Sequence, residues 1–273
     1  MKPPIKRIQW LAPLLGLVLL LGACASGPRA AQPSERQATA QAMFAERCKT
    51  AGEKIYRTVE GVEGVYLMKI RPKGTNFGDQ FKLDDPYGRD LDGDGYIESL
   101  MRGSYQAGKK NLIRPLGSPP RIGYPYVEAQ DPKDGQRYRY TGRIEQPWLT
   151  NKNYSEDYKR FVLDKTPAAG PAPRYGVTYD DISTREEREY WIAGSSLKVI
   201  DLQTNEVIAE RIGYMVDWAQ CSQAGGRSPW LLAANQACPD FHRLVNPVYR
   251  EPGSSAQIWQ TLDFVEKVLK PSN

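Results

Sequence analysis

The chain has 273 residues, of which 37 are basic and 32 acidic, so its formal charge of +5 is modest, and its 40% apolar content sets it apart from chains too polar to fold. A single histidine, His242, supplies too few ligands for a catalytic zinc and would have to serve alone in any Ser-His or Cys-His arrangement. Neither a phosphate-cradling G-x-x-x-x-G-K-[ST], nor a dinucleotide fingerprint, nor a G-x-S-x-G elbow occurs, which removes the commonest routes to nucleotide and acyl chemistry.

Lys2, Lys6 and Arg7 precede a run over residues 8–21 that is almost wholly apolar apart from Gln9. That run is shorter than the ~20 residues a spanning helix needs, and it has the layout of a secretory signal peptide. It ends in Leu21-Gly22-Ala23-Cys24. This resembles the lipobox of bacterial lipoproteins, in which the peptide is cut before the cysteine after a diacylglycerol joins its sulfur. The resemblance implies that residues 1–23 are removed and that Cys24 becomes the lipidated N-terminus, carrying the diacylglycerol and a palmitate-type acyl chain. Residues 24–33 then form a small, polar tether, and 34–273 a single periplasmic domain. Ala25 stands where inner-membrane retention favours aspartate, so the outer membrane, its periplasmic face, is the expected location. Loss of residues 1–23 removes three basic and no acidic side chains, leaving 250 residues with a formal charge of +2. Basicity therefore gives no reason to expect nucleic acid, and the expected partners are the membrane through the lipid and a periplasmic protein.

In chain order, Ser34 with Gln37 resembles a capping box, and Ala40, Met43, Phe44, Cys48, Ala51 and Ile55 recur at helical spacing. Residues 61–70 read as an apolar strand stopped by Arg71-Pro72. Shorter strands are expected over 122–128, 137–144 and 174–179, with a Pro-rich surface loop at 167–173. Residues 190–200 and 206–218 are long β-prone runs joined by Asp201-Leu202-Gln203-Thr204-Asn205, an antiparallel hairpin. Ser254 with Gln257 starts a last helix with Ile258, Leu262, Val265 and Leu269 on one stripe. The expected fold is α+β, a largely antiparallel sheet flanked by an N-terminal and a C-terminal amphipathic helix. Of the remaining cysteines, Cys221 with Cys238 is the favoured disulfide, since it pins the loop between them; Cys48 is either a buried thiol or an alternative partner of either.

Asp90-Leu91-Asp92-Gly93-Asp94-Gly95-Tyr96-Ile97-Glu98-Ser99 begins as a calcium loop of the EF-hand kind does, with carboxylates at alternate positions before a glycine. Asp90, Asp92, Asp94, the Tyr96 carbonyl and Glu98 are the candidate ligands, and calcium is the sole cofactor suggested. Position 12 is Met101, which cannot give a hard cation two oxygens. Asp-Gly repeated twice equally reads as a tight turn, with residues 96–102 as a strand. Arg137-Tyr138-Arg139-Tyr140 places two arginines on one face of a strand and two tyrosines on the other, a candidate binding surface with Arg121, Tyr124, Tyr126 and Arg143 nearby in sequence. No catalytic residue is nominated. Asp180-Asp181 and Glu186-Glu187 read as solvated loops. A non-enzymatic binding or envelope-structural role, in one form a toxin-neutralising immunity protein, is the expectation; a glycan-cleaving enzyme with an unidentified carboxylate pair is the alternative.

Overall fold

The computed structural model describes residues 34–72, 81–88, 92–104, 121–219, 230, 233, 236–240 and 255–273. Helix α1 (Glu35–Cys48) buries Ala40, and its Met43 and Phe44 pack against Ile192, Tyr214 and Val216. The helical spacing that runs on to Ile55 does not extend the helix. Lys49, Thr50 and Ala51 close tight turns, Gly52 takes a φ of 138° that side-chain-bearing residues rarely adopt, and β1 (Gly52–Ile55) begins there. The strand expected over 61–70 is two strands, β2 (Val59–Val62) and β3 (Gly64–Leu67).

A 3-10 turn (Pro86–Gly88) and helix α2 (Gly93–Ser99) follow, then β4 (Tyr126–Gln130), β5 (Arg137–Glu145), a second 3-10 turn (Pro147–Leu149) and β6 (Arg160–Pro167). Next come β7 (Tyr175–Asp181), helix α3 (Arg185–Glu189), β8 (Ile192–Asp201), β9 (Glu206–Val216), β10 (Ala237–Cys238), helix α4 (Ser255–Val268) and β11 (Leu269–Pro271). Among the described residues, no helix is long and apolar enough to cross a membrane.

The main sheet runs β1-β9-β8-β7-β3-β4-β5-β6, with β10 also paired to β9, and β11 pairs with β2 in a second, two-stranded sheet. Every pair of the main sheet is antiparallel except those that β3 makes with β4 and β7. The class is α+β, with a mixed and mostly antiparallel sheet. The hairpin read at 190–218 is β8 and β9, closing at Asp201 and Glu206 with Asn205 at a φ of 57°. One face of the sheet carries Val65, Leu67, Val127, Val177, Leu197 and Val199, which meet Tyr96, Ile97 and Leu100 of the α2 region and Leu262, Phe264, Val265 and Val268 of α4. Each fully buried side chain of this kind contributes roughly 1.5–3 kcal/mol, so this face holds most of the core. Leu269, counted on the helical stripe, begins β11 instead.

The disulfide joins Cys48 to Cys238, with 5.6 Å between Cα atoms, so the favoured Cys221–Cys238 pairing is corrected. The reason is topological. Strand β10 lies on β9, and this brings Cys238 beside the end of α1; Cys221 itself lies outside the described residues. The acidic pairs are likewise more than solvated loops. Glu187, 1% exposed, completes a capping box with Thr184 and pairs with Arg47 of α1, while Asp181 pairs with the buried Arg188. Asp180, paired to Lys198 at 2.8 Å, and Glu186 keep the expected exposed setting.

Candidate functional site

The two stretches singled out by sequence meet at one cleft of about 530 Å³. Helix α2 supplies Gly93, Asp94 and Ile97; β5 supplies Tyr140; the β4–β5 connection supplies Asp131, Pro132 and Lys133; residues 69–72 and Asp84 close the remaining side. Each wall has a local cause. The Asp-Gly stretch forms a short helix because Tyr96, Ile97 and Leu100 can bury together, and the Gly93 N–H is tied to the Arg71 carbonyl at 2.7 Å. The expected hairpin turn and the strand over 96–102 are therefore corrected. The β4–β5 turn is built by its aspartates: Asp131 accepts from the Lys133 N–H at 2.8 Å and Asp134 from the Gln136 N–H at 2.9 Å.

The cleft carries charge of both signs around an apolar floor of Ile97 and Tyr140. Lys69 pairs with Asp84 at 2.9 Å and lies 4.4 Å from the centre of the Tyr179 ring. Asp131 pairs with Lys165, and hydrogen bonds from Lys165 first, then from the Lys133 N–H, hold its carboxyl below the ordinary range. Burial pushes the Tyr140 hydroxyl up. Glu98, half-buried on α2, is raised by burial first and by the charge of Asp94 second. The lowered carboxyl of Asp131 suits it to recognition by charge more than to proton donation.

The Arg-Tyr strand alternates as expected, and both its faces are occupied. Arg139 donates to Glu128 at 2.9 Å from Nε, and its Nη2 lies 2.8 Å from the same oxygen; Arg137 pairs with the other oxygen at 3.1 Å, and Glu128 is fully buried. One carboxylate thus answers two guanidiniums, and Arg139 also lies 4.1 Å from the Tyr126 ring centre. On the other face the Tyr138 hydroxyl donates to Asp134 at 2.8 Å, and Tyr140 is the cleft wall. Arg121 and Tyr124 leave this surface: Arg121 is buried against Glu266, and the Tyr124 hydroxyl donates to the Leu269 carbonyl at 2.6 Å. Arg143 is exposed and paired to Asp164 and Glu145.

Of the calcium candidates, Asp90 lies outside the described residues. Asp92 stands at the start of α2, and the Tyr96 carbonyl accepts from the Ser99 hydroxyl at 2.6 Å inside the helix. Among the described residues, no three His, Cys, Asp or Glu side chains gather as a metal requires. Lys69, Asp84, Asp131 and Lys133 were not nominated from sequence. They come from separate segments, and only the Asp-Pro-Lys-Asp-Gly turn pattern at 131–135 marks any of them.

Comparison with family models, with curated proteins and with solved structures found no match for this chain. A second surface adds to the cleft. Beyond the β5–β6 pair, Ile144, Leu149, Tyr154 and Tyr158 are all more than 40% exposed, and the Tyr154 and Tyr158 rings stack at 5.7 Å.

Proposed function

We propose that the chain is an outer-membrane lipoprotein, held at the periplasmic face through Cys24, whose domain binds a periplasmic protein and carries out no catalysis. The observation that carries this reading is the cleft, where Asp84 and Asp131 are each neutralised by a lysine and Lys133 stands at the rim. Fixed charges of both signs around a tyrosine and an isoleucine suit recognition by charge complementarity, and the exposed tyrosines near β6 supply the aromatic contact area that binding surfaces favour. A toxin-neutralising immunity protein, which acts by occluding its target, is the specific form. In the same reading α1 and α4 flank the sheet, and the lipid supplies the anchor.

The test is capture of the full-length protein from crosslinked, gently solubilised envelopes, with and without a chelator, beside a Lys133→Glu variant. One stoichiometric protein, weakened by the charge reversal, supports the reading. Its loss on chelation would place calcium at Asp90, Asp92, Asp94, Tyr96 and Glu98. Absence of any stoichiometric protein sinks it.

A second reading has one observation in its favour. Glu98 with a raised carboxyl, four residues after Asp94, is how a general acid and its partner are prepared for glycan cleavage. Release of soluble fragments from peptidoglycan, lost in Glu98→Gln, would favour this enzyme over the binding protein.

A further inference from the structure

Behind the cleft, on the core face of the sheet, three charged side chains are closed off from solvent. Arg71 and Arg211 are each 1% exposed and Asp85 is fully buried. Asp85 is held there by its backbone, which takes a φ of 47° and donates its N–H to Asp181 at 3.2 Å. Its carboxylate accepts from Arg71 Nη1 at 2.6 Å. Among the described residues, that leaves one fully buried negative group for two buried positive ones.

Arg211 projects from β9 toward the Pro86–Gly88 turn, with the Tyr87 ring centre 5.6 Å from its guanidinium carbon. Its cross-strand neighbour on β1, Glu53, is turned to Lys267 at 2.6 Å. Among the described residues, Arg211 Nε and Nη1 and Arg71 Nε and Nη2 have no hydrogen-bond partner, nor do Asp85 Oδ1 and Ser195 Oγ, while the buried Tyr96 hydroxyl lies within hydrogen-bonding reach of Arg71. Tyr96 lies within the electrostatic reach of both guanidiniums. Burial is the largest influence pulling the Arg211 guanidinium below its ordinary value, and the like charge of Arg71 adds to it, against the weaker pull of Tyr87, Asp85 and Glu53.

An arginine does not escape this situation by losing its proton, and an unmatched buried charge is among the most destabilising features an interior can hold. We propose that Arg71, Arg211 and the Tyr96 hydroxyl hold a small monovalent inorganic anion, of halide size, inside the domain. The excess of buried positive over buried negative charge among the described residues, with Glu53 acting on Arg211 only from the partly exposed β1, sets the valence. The tyrosine rings around the two guanidiniums, with Tyr179 at 4.0 Å from Arg71 and Tyr96 at 5.4 Å, set the compact size. The site shares Arg71 with the cleft wall, but it does not rest on the proposed function, since Arg211 is 1% exposed whatever the cleft binds.

The test is thermal unfolding of the purified full-length protein in chloride, bromide or gluconate at matched ionic strength, beside Arg211→Met. The expected result is a saturable rise in Tm with chloride or bromide over gluconate, roughly 3–6 °C at a tenfold excess over the dissociation constant, and its absence in Arg211→Met. If that variant fails to fold, crystals of the wild-type protein soaked in bromide decide: an anomalous peak beside Arg211 and Arg71 supports the site. Equal Tm in chloride and gluconate, an anion dependence shared by wild type and variant, or only water beside the two arginines would overturn it.

Discussion

Replacing Cys48 and Cys238 together by alanine removes a crosslink between residues 190 apart in sequence. In the chain-entropy account a closed loop of that length restricts the unfolded ensemble by about 5 kcal/mol, against about 3 kcal/mol for the 17-residue separation of Cys221 and Cys238. The size of the effect therefore distinguishes the two pairings. With a urea slope of roughly 2–3 kcal/mol/M, the unfolding midpoint of the double variant should fall by about 2 M. The slope itself should rise, because the uncrosslinked chain expands further on unfolding. The assay is urea titration of the oxidised full-length protein and the variant, followed by fluorescence, with non-reducing peptide mapping of the wild type. A fall of about 1–1.5 M or less, or a map that links Cys221 to Cys238, would refute the reasoning.

Three further outcomes are expected. Gly123→Ala places a Cβ 2.7 Å from the backbone of Met101 and Arg102, which cannot yield, at a φ of 71°, and should cost about 1–3 kcal/mol from overpacking plus about 1 kcal/mol from the left-handed conformation. Gly135→Ala, whose Cβ meets nothing closer than Gln130 at 3.8 Å, should show only the second contribution; equal losses in denaturant titration would count against the packing argument. Glu128→Gln leaves Arg137 and Arg139 without their buried carboxylate and should lose about 1–3 kcal/mol by the same assay. Asp201 accepts from Arg174 and Arg57, and Arg174 first among these lowers its carboxyl below the ordinary range. A depressed acid stabilises the fold fully above its unfolded pKa of ~3.9 and less as pH falls through the folded value. The Tm gap between wild type and Asp201→Asn should therefore be constant near neutrality and narrow below about pH 4; a gap independent of pH would contradict the assignment.

The hairpin at 190–218 was legible because two long β-prone runs with a polar turn admit few other arrangements. The Arg-Tyr alternation was legible for a similar reason, since the period of a strand is fixed. Strand β6 was missed. Its apolar Phe161, Val162 and Leu163 are only half-buried at a sheet edge, and a short apolar run between charged residues gives little signal. Asp-Gly repeated twice misled, because a local turn preference was overridden by the burial of Tyr96 and Ile97 in a helix. The cleft itself was illegible. Lys69, Asp84 and Asp131 carry no mutual spacing, and only the parallel placement of β3 beside β4 brings their segments together.

The late chain fastens onto the early chain in two ways: Cys238 closes on Cys48, and β11 lies along β2, where Lys270 pairs with Glu60. Synthesis runs in the opposite sense, so residues 48–62 emerge with neither partner and wait for residues 238–271. A chain released early can form the β8–β9 hairpin, whose strands are neighbours in sequence, and can seat its N-terminal helix there through Met43, Phe44 and the Arg47–Glu187 pair, yet it lacks the covalent fastening. The arrival of residues 238–271 thus turns a reversible association into a fastened domain, and products truncated before them should be the more readily cut by proteases.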